Sequence, residues 1–481
     1  MSAAAAATFP SWAMLEPFVF RRDDDSSFPD ATTAPIRASG TTSWGATFTI
    51  AFSLANPPLI SRIYAHLPGF PDRFKCTPLA IMATHRHLAL LRVGHEMPST
   101  KLLVQDFFVY NAGAAAAAGE EENRHLAPPR SSLKALPPCT EPKFDYNYTR
   151  NRNDHCLPRR RPPPAPEAEK HRRLLTILSM GLLCRGDEEF VVAELNLYCP
   201  SRRSKVCADI CWLRSSSSVV ADSSTSPAGD QLQLGGAWNS MRVEIQCSDD
   251  KPGDVWRPCG GWQTNAVIPF RQWLEPSPSV FFLRLPLDDD DFPACPNIRR
   301  GTSSYLYRAV SVVGHGRELK FVKVARHDGV RFGTLKPGTG FTITCHTLLM
   351  SDGGAGIAGG GMAWEEEYKV TSDELWDANL PEHLPRDILM YPQVDIERPH
   401  VVHFLFIGQW KYVKKKMWVV SIDMSTKIVQ SCSLYINGME GLQTDDAELI
   451  EHKSMDLRPF LPCEFPKFLQ LSSSRKRKDM E

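Results

Sequence analysis

Two glycine-rich stretches contain residue types that can cradle phosphate groups. Gly354, Gly356 and Gly359 match the spacing G-x-G-x-x-G that opens a dinucleotide site. A helix must follow such a loop, but the next residues, "MAWEEEYKV", favour a strand or turn outside any strand-helix-strand unit. "GTLKPGTGF" (Gly333–Phe341) mimics a phosphate loop, yet it lacks the Gly-Lys-Ser/Thr ending, and Pro337 removes a backbone amide. We interpret both stretches as loops or turns, and no cofactor is predicted.

Cysteines and aspartates supply two candidate metal sites. Cys207 and Cys211 in "CADIC" project from the same face of a predicted strand. No second cysteine pair has zinc spacing, so a packed core is favoured over a zinc site. The run Asp288–Asp291 would bind calcium only if the chain folded around the ion, and a solvated loop is the ordinary interpretation.

Histidines and nucleophiles give no clear catalytic set. His85 and His87 in "THRH" are expected at a hairpin turn, whereas His400 and His403 are expected on opposite faces of a strand. Neither pair forms a convincing ligand set. No G-x-S-x-G elbow occurs, and the many cysteines and histidines allow no assignment of a nucleophilic pair. No catalytic, cofactor-binding or metal-binding residue is therefore predicted, and we expect that the chain is not an enzyme.

Charge and hydropathy disfavour some classes of protein. Basic and acidic residues both number 55, so no global field attracts nucleic acid or an anionic membrane. No run of about 18 apolar residues exists, and the opening "MSAAAAATFPSWAMLEPF" lacks the basic and apolar segments of a secretory signal. Its alanines are similar to a plastid transit peptide, but Glu16 and "RRDDD" interrupt that pattern. We expect a soluble intracellular protein whose 13 cysteines are reduced.

The apolar residues alternate with a period of two. In "GFTITCH" the side chains of Phe341, Ile343 and Cys345 share one face, and "MRVEIQC" (Met241–Cys247) repeats the pattern. "EFVVAELNLY" (Glu189–Tyr198) has one apolar face and a mixed second face, which predicts a strand whose second face is partly covered, as in stacked sheets.

Further strands are predicted wherever such runs lie between turn-forming residues. They are Ala46–Leu54, Leu79–Ala83, Leu88–Val93, Lys101–Tyr110, Lys205–Leu213, Ala266–Phe270, Val280–Leu285, Tyr305–Val313, Leu319–Ala325, Met362–Val370, His400–Ile407, Met417–Asp423 and Ile428–Ile436.

Few segments favour helices, and several favour loops. "LISRIYAHL" (Leu59–Leu67) has helical spacing, and "SDELWDA" (Ser372–Ala378) begins with a capping serine followed by acidic residues. The predicted loops are too poor in apolar residues to order themselves. They are Arg159–Lys170, Arg214–Asp230, Leu287–Pro296 and Ser351–Gly361.

The segments "KLLVQDFFVYN" (Lys101–Asn111) and "SLKALPPC" (Ser132–Cys139) show how one sheet leads to the next. Pro137 and Pro138 form a stiff connector that cannot donate hydrogen bonds at a sheet edge. Many short antiparallel strands favour a sandwich or a propeller. A single sandwich usually has about 100 residues, far fewer than this chain, so the propeller is favoured. The predicted fold class is all-β: a β-propeller-like array of short antiparallel strands with few short helices and several disordered loops.

Several phrases resemble sequences of known families. "FFVYNA" with "SLKALPP", and "SMGLLCRGDEEFVVAEL" with "ADICWLRSSSS" and "WNSMRV", resemble the propeller-like regions associated with F-box proteins. "PIRASGTTSWGA", "PPLISRIYAHLPGF", "THRHLALLRVG", "KFVKVARHDG", "KVTSDELWDA" and "MWVVSIDMST" resemble the plant family, expanded in grasses, that carries domain of unknown function 1618 (DUF1618). The resemblance covers nearly the whole chain. It implies no catalytic residues, because the family has no established activity.

The resemblance also implies a division of the chain. We predict a flexible segment over 1–30, a propeller-like part over 31–260, the DUF1618 core over 261–385, a closing β-rich part over 386–470 and a basic disordered tail over 471–481. The family pattern has two further strands after a phrase like "VIPFRQWL", but here Leu274 leads directly to Glu275. This departure predicts that one blade lacks a strand pair.

Three hypotheses for function follow. The first is a non-catalytic module that recognises a protein partner through propeller loops. The second is a hydrolase or lyase with its site in the propeller channel, which would require several carboxylates or histidines in one pocket. The third is an adaptor of the ubiquitin system without its own F-box. Membrane, nucleic-acid and small-molecule partners are not indicated.

A basic cluster near the end of the sequence bears on localisation. Arg475, Lys476, Arg477 and Lys478 follow three serines, where an import receptor could bind them. A solubilising tail is the alternative interpretation. The predicted localisation is therefore cytoplasmic or nuclear.

Overall fold

The structure of the chain is a computed structural model. It describes residues 9–24, 26–70, 78–96, 103–112, 132–141, 171–176, 179–185, 189–198, 207–215, 237–247, 266–267, 280–287, 304–314, 318–330, 333–350, 362–379, 384, 386–407, 416–437, 445–449 and 459–469.

The first half of the described chain consists of strands. They are β1 (Ala13–Arg21), β2 (Ile36–Thr41), β3 (Thr47–Ser53), β4 (Ile60–His66), β5 (Leu79–His85), β6 (Leu88–Glu96), β7 (Leu103–Asn111), β8 (Ser132–Ala135), β9 (Thr140–Glu141), β10 (His171–Arg172), β11 (Met180–Arg185), β12 (Glu189–Tyr198), β13 (Cys207–Arg214) and β14 (Asn239–Cys247).

The second half adds two short helices to the strands. The elements are β15 (Ala266–Val267), β16 (Val280–Arg284), α1 (Ser304–Tyr307), β17 (Arg308–Val313), β18 (Glu318–Arg326), β19 (Phe341–Met350), β20 (Met362–Thr371), α2 (Ser372–Ala378), β21 (Met390–Val394), β22 (Val401–Ile407), β23 (Met417–Asp423), β24 (Ile428–Ile436) and β25 (Leu461–Cys463). Residues 445–449 and 465–469 are helical turns.

The strands form the five blades of a β-propeller, together with a small ribbon of β9 and β10. The strand orders are β2-β3-β4-β1-β25 in blade 1, β5-β6-β7-β8 in blade 2, β11-β12-β13-β14-β16-β15 in blade 3, β17-β18-β19-β20 in blade 4 and β21-β22-β23-β24 in blade 5. Antiparallel pairing dominates, with parallel pairs between β1 and β4 and between β14 and β16. The all-β, propeller-like prediction is confirmed.

Blade 1 joins early and late parts of the chain. Strand β1 pairs in parallel with β4 and antiparallel with β25, so that Ala13 lies opposite Cys463. Both faces of β1 are buried: Leu15 packs in the core shared with blade 2, and Met14 packs in the core shared with blades 4 and 5. The ring is therefore closed by main-chain hydrogen bonds within one blade.

Apolar faces packed between neighbouring blades form the core. One cluster joins blades 1 and 2, a second joins blades 2 and 3, and the largest joins blades 4 and 5 to blade 1. In β12, Phe190 and Val192 pack against blade 2, and the alternate residues Val191 and Ala193 are also buried. The predicted partial cover of the second face of this strand is confirmed, and over these four residues both faces are buried.

Two sequence predictions about the first 70 residues are wrong. Leu59–Leu67 is not a helix but contains β4, in which Ser61, Ile63 and Ala65 form the buried face. The flexible segment predicted over 1–30 instead includes the buried strand β1. Glu16 is accommodated in β1 because its carboxylate accepts hydrogen bonds from the Phe18 amide and the Tyr435 hydroxyl.

The second predicted helix is confirmed as α2. Thr371, rather than Ser372, is its N-cap: its hydroxyl accepts from the Glu374 amide, and the Glu374 carboxylate accepts from the Thr371 amide. A hydrogen bond from Lys427, followed by those from Thr371, lowers the pKa of Glu374 to about 2. The pair therefore fastens α2 to the turn between β23 and β24.

Several predictions lie outside the described residues. They are the strand pair missing after Leu274, the basic cluster Arg475–Lys478, and most of the four predicted loops. The strand predicted over Tyr305–Val313 begins three residues later, because Tyr305–Tyr307 belongs to α1.

Candidate functional site: an acidic groove on blade 4

A β-bulge in blade 4 places a glutamate on an unexpected face. Cys345 of β19 lies opposite Tyr368, but the next residue, His346, lies opposite Glu366. Glu367 is thus the extra residue on β20, and a bulge redirects the side chains around it. The Glu367 carboxylate consequently accepts hydrogen bonds from the Lys320 ammonium of β18 and the Thr347 hydroxyl of β19.

These contacts favour the negatively charged form of Glu367. Burial acts to raise the pKa of Glu367, but the hydrogen bonds from Lys320 and Thr347 outweigh it, and the pKa lies below its ordinary value. Lys320 is itself buried, with 5% of its surface exposed. The two side chains therefore form an ion pair at the base of a concave surface.

That concave surface, the acidic groove, has a volume of about 430 Å³. It is lined by Glu318, Lys320, Thr347, Leu349, Glu365, Glu366 and Glu367. Four glutamates face one lysine, which leaves a formal surplus of three negative charges. Leu349 adds an apolar wall, since 49% of its surface is exposed.

The groove lies at one end of the blade. Strand β17 ends at Val313 and β18 begins at Glu318, while β19 ends at Met350 and β20 begins at Met362. Because successive strands are antiparallel, both connections emerge at the same end of the sheet. The acidic groove therefore lies toward the end of blade 4 at which β17 and β19 end and β18 and β20 begin.

A second polar cluster has the residue types of a hydrolytic triad. The His403 Nδ1 and Ser421 Oγ atoms are 2.8 Å apart, and these residues lie opposite each other on β22 and β23. The His403 Nε2 atom lies 3.5 Å from Asp395 Oδ2, which is ion-pair range but long for a hydrogen bond.

This cluster is buried. Asp395, His403 and Ser421 each expose 2% of their surface or less, and the Trp12 ring of blade 1 packs 5.7 Å from the His403 ring. Asp395 also accepts hydrogen bonds from two backbone amides and the Arg398 guanidinium. These contacts make the cluster a structural link between β21, β22, β23 and blade 1.

From the sequence, His403 is a candidate only for a metal-ligand pair with His400. The structure separates them: His400 precedes β22, and its Nε2 atom lies 3.9 Å from Asp423. A histidine inside the otherwise apolar strand "VVHFLFI" was the signal of the buried cluster, because a buried polar group requires a partner.

The stretch Gly333–Phe341 is a turn, as predicted. Gly333 and Gly338 have positive φ angles of 85° and 75°. Two backbone amides here donate hydrogen bonds to protein carboxylates and not to a phosphate. The Lys336 amide donates to Asp328, and the Leu335 amide donates to Asp387. The other glycine motif, Gly354–Gly359, and the run Asp288–Asp291 lie outside the described residues.

His85 and His87 lie at a hairpin turn, as predicted: His85 ends β5, and Arg86, at φ 51°, and His87 form the turn. Both side chains reach the interface with blade 3. His85 Nδ1 accepts a hydrogen bond of 3.0 Å from the Cys184 amide. Burial, with smaller contributions from the charges of Arg86 and His87, lowers the pKa of His85 to about 4. The imidazole is therefore neutral at physiological pH, with its Nδ1 atom free of a proton.

Cys207 and Cys211 both lie on β13, and Cys211 is buried in the core between blades 2 and 3. Within the described ranges, no group of three or more His, Cys, Asp or Glu side chains could hold a metal ion. The same ranges contain no helix long and apolar enough to cross a membrane.

One comparison with known proteins bears on this site. Residues 265–403 match the family described as "Protein of unknown function (DUF1618)". The matched segment includes every residue that lines the acidic groove, together with Asp395 and His403. No curated protein and no solved structure matches the chain.

Proposed function

We propose that this chain, which carries the DUF1618 domain, is a non-catalytic binding module that recognises a protein partner at the acidic groove. The observation that carries the proposal is the groove's composition and place: carboxylates in excess, an apolar wall at Leu349 and a position toward one end of blade 4. Recognition would thus use the loop end of the propeller.

The groove suits a basic side chain of the partner. Lysine and arginine combine an apolar stem with a charged head. The stem would lie along Leu349, and the head would reach Glu318, Glu365 or Glu366. The Glu367 carboxylate already pairs with Lys320, so it forms the base of the groove and does not serve as the main contact for the partner's charged head.

Local rather than global charge must drive this contact. The whole chain carries equal numbers of basic and acidic residues, so the net charge of the chain does not attract a basic partner. Carboxylates at the rim of an interface chiefly raise the association rate and make it sensitive to salt. Specificity would then come from the shape of the groove.

Two observations favour binding over catalysis. A carboxyl group acting as general acid near neutral pH needs a raised pKa, whereas the pKa of Glu367 is lowered. The Asp395, His403 and Ser421 cluster is buried away from solvent. A hydrolase or lyase site in the propeller channel and an adaptor role in the ubiquitin system stay as predictions from the sequence.

Proximity labelling in cells tests the proposal. The wild-type chain is compared with a groove variant, Glu365→Gln/Glu366→Gln, and with a control variant, Asp377→Asn/Glu397→Gln, which removes two exposed charges elsewhere. We expect a reproducible set of labelled proteins that the groove variant loses and the control retains. A set that survives in the groove variant would contradict recognition at the groove.

A further inference from the structure

The interface between blades 2 and 3 contains two adjacent thiols that play no part in the proposed function. The Sγ atoms of Cys139 and Cys211 lie 3.5 Å apart, and both residues are buried. Both are in the thiol form. They are 72 residues apart in sequence, so the folding of the two blades, rather than local chain geometry, brings them together.

Hydrogen bonds hold the backbone in place at or beside both cysteines. Cys139 follows the Pro137–Pro138 connector after β8; the Trp238 indole donates to the Pro137 carbonyl at 2.8 Å, and the Arg173 amide donates to the Cys139 carbonyl at 2.8 Å. Cys211 lies within β13, which pairs on both sides, with β12 and with β14. The two sulfur atoms are therefore held in proximity by elements from both sides of the interface.

The spacing is close to that required for a covalent bond. A disulfide has a sulfur-sulfur length of about 2.0 Å, so the sulfur atoms need to approach by roughly 1.5 Å. Side-chain rotation at two cysteines can supply a movement of this size. We propose that Cys139 and Cys211 are a redox modification site, at which a peroxide oxidant forms a reversible disulfide between the blade 2 connector and blade 3.

Hydrogen peroxide balances the reaction. The Cys139 sulfur attacks one oxygen of the peroxide, the oxygen-oxygen bond breaks, and the departing hydroxide takes the thiol proton and leaves as water, so that Cys139 becomes a sulfenic acid. Cys139 is the first thiol to react, because 6% of its surface is exposed whereas Cys211 is fully buried. The Cys211 sulfur then attacks the sulfenic sulfur, the sulfur-oxygen bond breaks, and hydroxide takes the thiol proton to leave as a second water. Two thiols are oxidised and one peroxide is reduced to two waters.

A disulfide at this position would alter the propeller as a whole. It would link covalently two segments that otherwise meet through apolar packing and hydrogen bonds. A cross-link that closes a long loop restricts the unfolded chain and stabilises the folded one. The oxidised protein should therefore unfold at a higher temperature than the reduced protein.

Peptide mapping of the purified full-length protein tests the site. The reduced protein is treated with hydrogen peroxide, remaining thiols are alkylated under denaturing conditions, and the digest is analysed by mass spectrometry. We expect a peptide pair joined through Cys139 and Cys211 that disappears after dithiothreitol treatment. The proposal is overturned if both cysteines are recovered alkylated while the exposed Cys432 is oxidised, or if either one pairs with another cysteine, such as Cys184 in the same interface.

Variants provide the second readout. Cys139→Ser and Cys211→Ala should each abolish the rise in unfolding temperature that peroxide produces in the wild type. The control Cys432→Ser, which changes an exposed thiol, should keep that rise. A rise that persists without Cys139 would contradict the proposal. If a variant fails to fold, the peptide map of the wild type still decides the question.

Discussion

At the scale of residues, buried polar side chains connect segments that are far apart in sequence. Glu16 accepts from the hydroxyl of Tyr435, 419 residues later. Glu194, fully buried, pairs with the Arg173 guanidinium at 2.7 Å. Sequence patterns predict none of these pairs, because hydrophobic periodicity identifies faces of strands but not the partner of a polar residue. The same limit explains why the His403 cluster was missed.

His85 predicts a pH dependence of stability. Its folded pKa of about 4 lies below the ordinary 6.5, so the unfolded chain binds more protons between these values. The stabilisation from neutral His85 is complete above pH 6.5 and is lost as the pH falls toward 4. Between pH 7 and pH 5 the free energy of unfolding should decrease by about 2 kcal/mol on this account.

The variant His85→Asn isolates this term, because its amide oxygen can still accept from the Cys184 amide but does not titrate. Urea unfolding at pH 7 and pH 5 should show a smaller decrease in the variant than in the wild type. Equal decreases in both proteins would show that His85 is not the titrating group.

At the scale of elements, the alternation of apolar residues is sufficient to predict most strands. It fails where the buried face of a strand also carries a polar residue. The inner face of β4 carries Ser61, whose hydroxyl accepts from the Ala55 amide, so its apolar alternation is broken. Its other apolar residues then match helical spacing, and pairing with β1 and β3 overrides that tendency. The acidic groove was missed for a related reason: Glu365–Glu367 resembles a solvated strand surface until the bulge with β19 is known.

The register of β19 gives a test of the strand assignments. Ile343 is fully buried in the core between blades 4 and 5, whereas the next residue, Thr344, is partly exposed on the opposite face. Ile343→Asp would bury a carboxylate without a partner and should lower the free energy of unfolding by on the order of 4 kcal/mol.

Thr344→Asp is the matched variant on the other face and should be clearly milder. Thermal unfolding of both purified variants measures the difference. A more damaging Thr344→Asp would mean that the inward face is the other one, since a shift of one residue exchanges the two faces of a strand.

At the scale of the whole molecule, two sets of contacts among the described residues close the ring. One is the pairing of β25 with β1, and the other is a charge network between blade 1 and the helical turn 445–449. The Arg22 guanidinium donates to Glu448 at 3.0 Å and also pairs with Asp445, while Arg62 pairs with Asp445 and Asp446. Burial of Arg22 works to lower its pKa, but the charges and hydrogen bonds of Glu448 and Asp445 raise it above the ordinary value.

Removing one cation from this network should weaken closure. Arg22→Met keeps the apolar stem but leaves partly buried carboxylates with fewer donors, and should cost roughly 2–3 kcal/mol of unfolding free energy. Arg242→Met is the control: its side chain is 50% exposed, against 10% for Arg22, and its pair with Asp209 should contribute less than about 1 kcal/mol. Urea unfolding followed by tryptophan fluorescence compares them, and equal losses would refute a special role for the network.

The most direct test of the binding function uses a simple basic ligand. A fluorescein-labelled tetralysine peptide is titrated with the wild-type protein, with Glu365→Gln/Glu366→Gln and with Asp377→Asn/Glu397→Gln, and fluorescence anisotropy gives each Kd. Two lost charge contacts of about 0.5 kcal/mol each should weaken binding about fivefold in the groove variant. The wild type and the control should bind alike, and added salt should weaken both. Equal affinity of the groove variant and the wild type would contradict the account, because the peptide would then bind elsewhere on the propeller.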